Sequence, residues 1–138
     1  MKNALMVGLW MVFATPNKEL NESGERGTLV LYRRKDYFSS DFTLKINNQQ
    51  VSQKFSNNEF IRLDVPAGRL KIETEGGFIT EKQSMAFSVA PNETVYLKGI
   101  VDYDYLSNAL YFKRIDDESA TREITKTKLD ETALRRIE

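Results

Sequence analysis

From Gly27 to Ile115 apolar side chains recur at every second position, and this period constrains the chain more than any other feature. It places successive side chains on opposite sides of an extended backbone. "DFTLKI" alternates strictly, with Phe42, Leu44 and Ile46 facing one way and Thr43 and Lys45 the other. "FIRLDV" aligns Ile61, Leu63 and Val65 and leaves Arg62 and Asp64 outside. "RLKIET" aligns Leu70 with Ile72, and "SMAFSV" aligns Met85, Phe87 and Val89. "TVYLKGIVDY" sets Val95, Leu97, Gly99 and Val101 against Tyr96, Lys98, Ile100 and Asp102. "SNALYFKRI" sets Leu110 and Phe112 against Tyr111 and Lys113. "GTLVLYRRK" is apolar on both sides, with Leu29 and Leu31 opposite Val30 and Tyr32.

Turn residues separate these runs. Asn47-Asn48 and Asn57-Asn58 tolerate tight-turn geometry, Gly76-Gly77 ends one arm, and Pro91-Asn92 begins another connection. At "VPAGRL", Pro66 fixes φ near −65° and Gly68 is free to take a positive φ. The two arms around it are expected to form a hairpin with a three- to four-residue connection. Seven or eight such strands predict an all-β chain, an antiparallel β-sandwich in which each strand offers one apolar face. A barrel satisfies the same period. After Ile115 the period is lost. Asp116 or Asp117 can cap a helix, Glu118 precedes Arg122 by four, and Ala133, Leu134 and Ile137 form a second apolar stripe. One or two short C-terminal helices are expected over 116–138, packed against the strands.

The chain is 138 residues long, a length for one domain. It has 20 basic and 20 acidic residues, so no overall field draws it to nucleic acid. It has no histidine and no cysteine. That removes the usual neutral-pH general base, zinc sites built on these residues, and Ser-His or Cys-His nucleophiles. Carboxylates, Lys, Tyr and hydroxyls remain for chemistry. No enzyme and no cofactor is expected.

At the N-terminus, "MKNALMVGLWMVFATP" follows one lysine with an apolar run from Ala4 to Ala14. As a helix the run rises about 16 Å, short of the ~30 Å hydrocarbon core, so no spanning segment is expected. A signal peptide over 1–14, ending at Val12-Phe13-Ala14, fits the pattern. An apolar first strand or a short segment packed on the core is the alternative. Residues 15–26 read as a linker, 27–115 as the sandwich and 116–138 as a C-terminal helical segment.

Four stretches, "GTLVLYRR", "LKINNQQV", "FIRLDVPAGRLKIE" and "FSVAPNETVYLKG", resemble a family of small, uncharacterised bacterial envelope proteins, many of them lipoproteins. The third also resembles the PEGA-type hairpin, here Pro66-Ala67-Gly68-Arg69. The resemblance implies a transthyretin-like or carbohydrate-binding-like sandwich exported to the envelope, periplasmic or extracellular. It implies no catalytic residues. The family's lipid-bearing cysteine is missing here, which leaves a protein without that anchor.

Two stretches can contact a ligand. "VDYDY" joins Asp102 and Asp104 to Tyr103 and Tyr105. Aromatic faces beside carboxylates suit sugars, and carboxylates suit Ca²⁺. On a continuous strand, however, the acids share one face and the tyrosines the other. "YRRKDYF" places Arg33 and Arg34 beside aromatic residues, suited to an anionic glycan or headgroup, or else to an edge strand blunted by charge. "DDE" at 116–118 is explained by capping more simply than by a metal. The expected role is a non-catalytic envelope module that offers a sheet face or edge to another envelope protein or a glycan. The alternatives are a small carbohydrate-binding domain using residues 102–105, and a carboxylate-dependent hydrolase.

Overall fold

The computed structural model describes residues 24–36, 40–76, 82–103 and 107–138. Strands β1 (Arg26–Arg33), β2 (Phe42–Ile46), β3 (Gln49–Phe55), β4 (Glu59–Pro66), β5 (Gly68–Glu75), β6 (Gln83–Val89), β7 (Thr94–Tyr103) and β8 (Asn108–Ile115) follow in order. Helix α1 (Asp117–Ile124) and a short strand β9 (Lys128–Leu129) complete the chain. The strands form two sheets. Sheet I has the order β9-β4-β1-β7-β8 and sheet II the order β3-β2-β5-β6. Their inner faces enclose one core, to which both sheets contribute fully buried Leu31, Leu44, Leu63, Ile72 and Leu97. The architecture is a sandwich and not a barrel.

The alternation anticipated for each run is kept. In β4, Ile61, Leu63 and Val65 are buried while Arg62 is exposed. The Asn47-Asn48 turn joins β2 to β3 with both residues left-handed, at φ 49° and 67°. This two-residue geometry matches the natural twist of an antiparallel pair.

Two expectations are corrected. The segment around Pro66 is not a hairpin: β4 pairs with β1 and β9, whereas β5 pairs with β2 and β6. Gly68 does adopt a positive φ, 120°, but it serves a corner that carries the chain from one sheet to the other. The same holds at Asn58 (φ 61°) and Asn92 (φ 65°), each between strands of different sheets. Sheet I is also not wholly antiparallel, because β1 runs parallel to β7 and β9 parallel to β4. Local periodicity carries no information on strand direction. The C-terminal segment holds one helix, within the one or two expected. The second apolar stripe lies in an irregular strap, because its backbone finds partners along β4.

That strap closes one side of the sandwich. Lys128 N donates to Asn58 O (2.9 Å) and Asp130 N to Phe60 O (2.9 Å). Asp64 N then donates to Arg135 O (2.9 Å), and Ile137 N to Asp64 O (3.0 Å). Leu134 N reaches across to Val51 O of sheet II (2.9 Å). Asp130, 7% exposed, accepts from Ser52 Oγ of sheet II (2.9 Å) and from Thr132 Oγ1 (2.7 Å). Ile137 is completely buried in the core.

Helix α1 covers part of the outer face of sheet I. Asp116 caps it by accepting from Ser119 N (2.9 Å), which holds the carboxyl below its ordinary pKa. Ala120 is the buried residue of the helix. Together these explain why β1 is apolar on both sides. Leu29 and Leu31 face the core, while Val30 and Tyr32 are buried on the opposite face.

Candidate binding surface

Arg33 does not face solvent. It is 1% exposed, and its guanidinium lies 5.3 Å from the ring centre of Phe42 and 5.9 Å from that of Phe55. It donates to Ser40 O (2.8 Å), Phe55 O (2.7 Å) and the Asp36 carboxylate (3.0 Å). Asn57 Nδ2 donates in turn to Asp36 Oδ1 (3.3 Å). The planar guanidinium supplies donors in several directions at once, which suits a site closed by carbonyls and one carboxylate. Gly99 makes room for its stem, since a Cβ there would stand 3.0 Å from Arg33 Cγ. Arg33 therefore ties the segment that leaves β1 to the end of β3. Its strand lies in the middle of sheet I, which also corrects the expected charged edge.

Arg34 points to the other side. It lies 3.8 Å from Glu123, which also accepts from Tyr32 Oη (2.6 Å) and from Lys98 Nζ (3.2 Å). The Tyr32 hydrogen bond, followed by Lys98 and Arg34, holds the Glu123 carboxyl below its ordinary pKa against the desolvation that opposes them. Burial, reinforced by Glu123, pushes the Tyr32 phenol well above its usual value. This cluster fastens α1 to sheet I.

The "VDYDY" segment divides as the strand period requires. Asp102 is exposed, while Tyr103 is half-buried on the face that carries Leu97 and Val101. Burial raises the Tyr103 pKa, against a hydrogen bond with Ser40 that lowers it. The two residues do not meet on one surface. Asp104 and Tyr105 lie outside the described residues. Of the four described candidates, Arg33 and Tyr103 converge on Ser40, whereas Arg34 lies on the Glu123 side and Asp102 on the exposed face, so the four form no common site. No cluster of acidic residues able to hold a metal occurs among the described residues.

A different surface stands out. Between the outer face of β1 and β4 and the C-terminal strap lies a groove of about 740 Å³. Phe60, Leu129 and Leu134 give it apolar walls, with Leu129 43% and Leu134 42% exposed. Arg26 and Asp64 form its floor through a 2.6 Å ion pair, and Arg136 also reaches Asp64 at 3.1 Å. The Arg26 guanidinium further donates to Ile137 O and so holds the end of the strap. Arg62 and Arg135, both exposed, line the groove without an ion pair among the described residues. Sequence reasoning missed this site. Leu129, Leu134 and Arg135 come from the strap, read as helical, and Phe60, Arg26 and Arg62 from strands that periodicity alone does not bring beside it. The available signal was Leu134 beside Arg135 in a segment rich in charge.

Comparison with protein-family models, with curated proteins and with solved structures returned no match.

Proposed function

We propose that this chain is a non-catalytic binding module of the bacterial cell envelope, and that the groove beside the strap receives an extended segment of a partner protein. The observation that carries the reading is the juxtaposition in one groove of exposed Leu129 and Leu134 with exposed Arg62 and Arg135, which have no ion pair among the described residues. Apolar contact supplies the gain from burial, and the guanidiniums select acidic or carbonyl-rich backbone. The acids nearest the groove support a role without acid-base chemistry. Asp64 is held by Arg26 and Arg136, and Asp130 by Ser52 and Thr132. Export rests on the signal-like run at 1–14.

The test combines two measurements. Fractionation of the host with N-terminal sequencing should place the protein in the envelope or outside the cell, cleaved after Ala14. Tagged wild type and a Leu134→Asp/Arg62→Glu variant with unchanged circular dichroism should then be compared in envelope extract. A partner identified by mass spectrometry should be retained by the first and lost by the second. A cytosolic location overturns the envelope assignment, and equal retention by both proteins overturns the groove.

A further inference from the structure

We propose that β6 is a self-pairing edge through which two copies of this chain form a two-fold dimer by extending sheet II. The inference is independent of the groove and of the cellular location.

Among the described residues β6 ends sheet II, and its register with β5 runs unbroken from Gly68↔Val89 to Thr74↔Gln83. An open edge is a template for another strand, and proteins usually blunt it with charge, proline or a bulge. "QSMAFSV" itself has none of these, and one charge from outside reaches its end, where Arg114 donates to Ser88 O at 3.5 Å. The other long edges are treated differently. β8 carries Lys113 and Arg114, β3 carries Lys54 and an irregular register with β2, and β4 is covered by the strap.

The sequence of β6 is complementary to itself. In an antiparallel pair centred on Ala86, Ala86 faces Ala86 of the second copy. Met85 then faces Phe87, Ser84 faces Ser88, and Gln83 faces Val89. On the outer face the seam is made of Ser84, Ala86 and Ser88, all small and exposed. On the inner face Met85 and Phe87, half-buried against the core, meet their counterparts. They cover the apolar opening of about 260 Å³ that lies between β6 and β8.

Charge selects this register. Arg69 of β5 lies beside Ser88, and Glu73 beside Ser84. Across the seam each row therefore runs Arg69, Ser88, Ser84 of the second copy, then its Glu73. Three strand spacings, about 14 Å, separate the ends of the row. That is a span extended Arg and Glu side chains can close over serines. Lys71 lies beside Ala86 at the axis, where its own Glu73 at 3.7 Å offsets the charge. The Ala86 axis also opposes two Lys71 residues, but it gains two Arg69–Glu73 rows. An axis at Ser84 opposes two Glu73 residues, one at Ser88 two Arg69 residues, and neither gains such a row. A one-residue slip would turn Met85 and Phe87 outward. The resulting interface is isologous and closed, as a two-fold dimer requires.

The full chain has a mass of 15.9 kDa, and sedimentation equilibrium at micromolar concentrations should give twice that value. Ala86→Lys, on an exposed position, should return the mass to that of one chain with circular dichroism unchanged. The chain has no cysteine, so single cysteines report the register directly. Ala86→Cys should form a disulfide-linked dimer under mild oxidation at least tenfold faster than Ser84→Cys, because only residue 86 meets itself. A wild type that remains monomeric overturns the proposal. So does a dimer that survives Ala86→Lys, or equal cross-linking at 84 and 86.

Discussion

At the scale of single residues, the chain places its most demanding group, a charged guanidinium, in the interior. Arg33 is retained there because two carbonyls, one carboxylate and two aromatic faces surround it. Truncation to Ala would leave the carbonyls of Ser40 and Phe55 without their donor and open a cavity. We expect a loss of about 3 kcal/mol, read as a lower urea midpoint. Arg33→Lys should lose nearly as much, since the three donors of an ammonium radiate from one nitrogen and cannot span acceptors that the guanidinium reaches from Nη1 and Nη2. Glu123 gives a pH signature. Its folded pKa lies below the ordinary 4.5, so its contribution is present above pH 4.5 and fades as pH falls through the folded value. The stability difference between wild type and Glu123→Gln should therefore be largest near neutrality and shrink in acid. A difference that is constant from pH 7 to pH 3 would show that the charge of Glu123 is not what fastens α1.

At the scale of elements, the strap matters more than its length suggests. It adds two residues of parallel strand to β4, yet it bonds to both sheets and places Ile137 in the core. Ile137→Ala should cost about 2–4 kcal/mol, measured by chemical denaturation. The same change at exposed Leu134 should be close to neutral for stability while impairing partner retention in the groove. The helix beside the strap was legible in the sequence, with its cap narrowed to Asp116 or Asp117, because capping is a contact between residues three apart. The strap was not legible. "ETALRR" has helical spacing, but the unpaired edge of β4 offers its backbone partners that no local pattern reveals.

At the scale of the whole molecule, the chain alternates between sheets: one strand in sheet I, two in sheet II, one in I, two in II, and three in I, the last of them β9 beyond the helix. Corners at Asn58, Gly68 and Asn92 make three of the four crossings in a few residues. This weaving places β1 between β4 and β7 and makes it the spine of sheet I, bonded to a strand on each side. Gly27 marks how closely the layers meet there. A Cβ at this position would collide with the Val89 side chain and stand 2.9 Å from Glu93 O.

The amino-acid sequence alone determined which segments are strands, which face of each is buried, the two-asparagine turn and the start of the helix. These are properties of a few neighbouring residues and of the pleat itself. Only the tertiary structure decided that β4 and β5 part company, that β1 and β7 run parallel, that Arg33 is enclosed, and that the strap and β4 frame a groove. Those outcomes depend on hydrogen bonds between residues as far apart as Arg26 and Ile137, 111 positions along the chain. Contacts of that span are chosen by how the layers close around a shared interior, which no local period encodes.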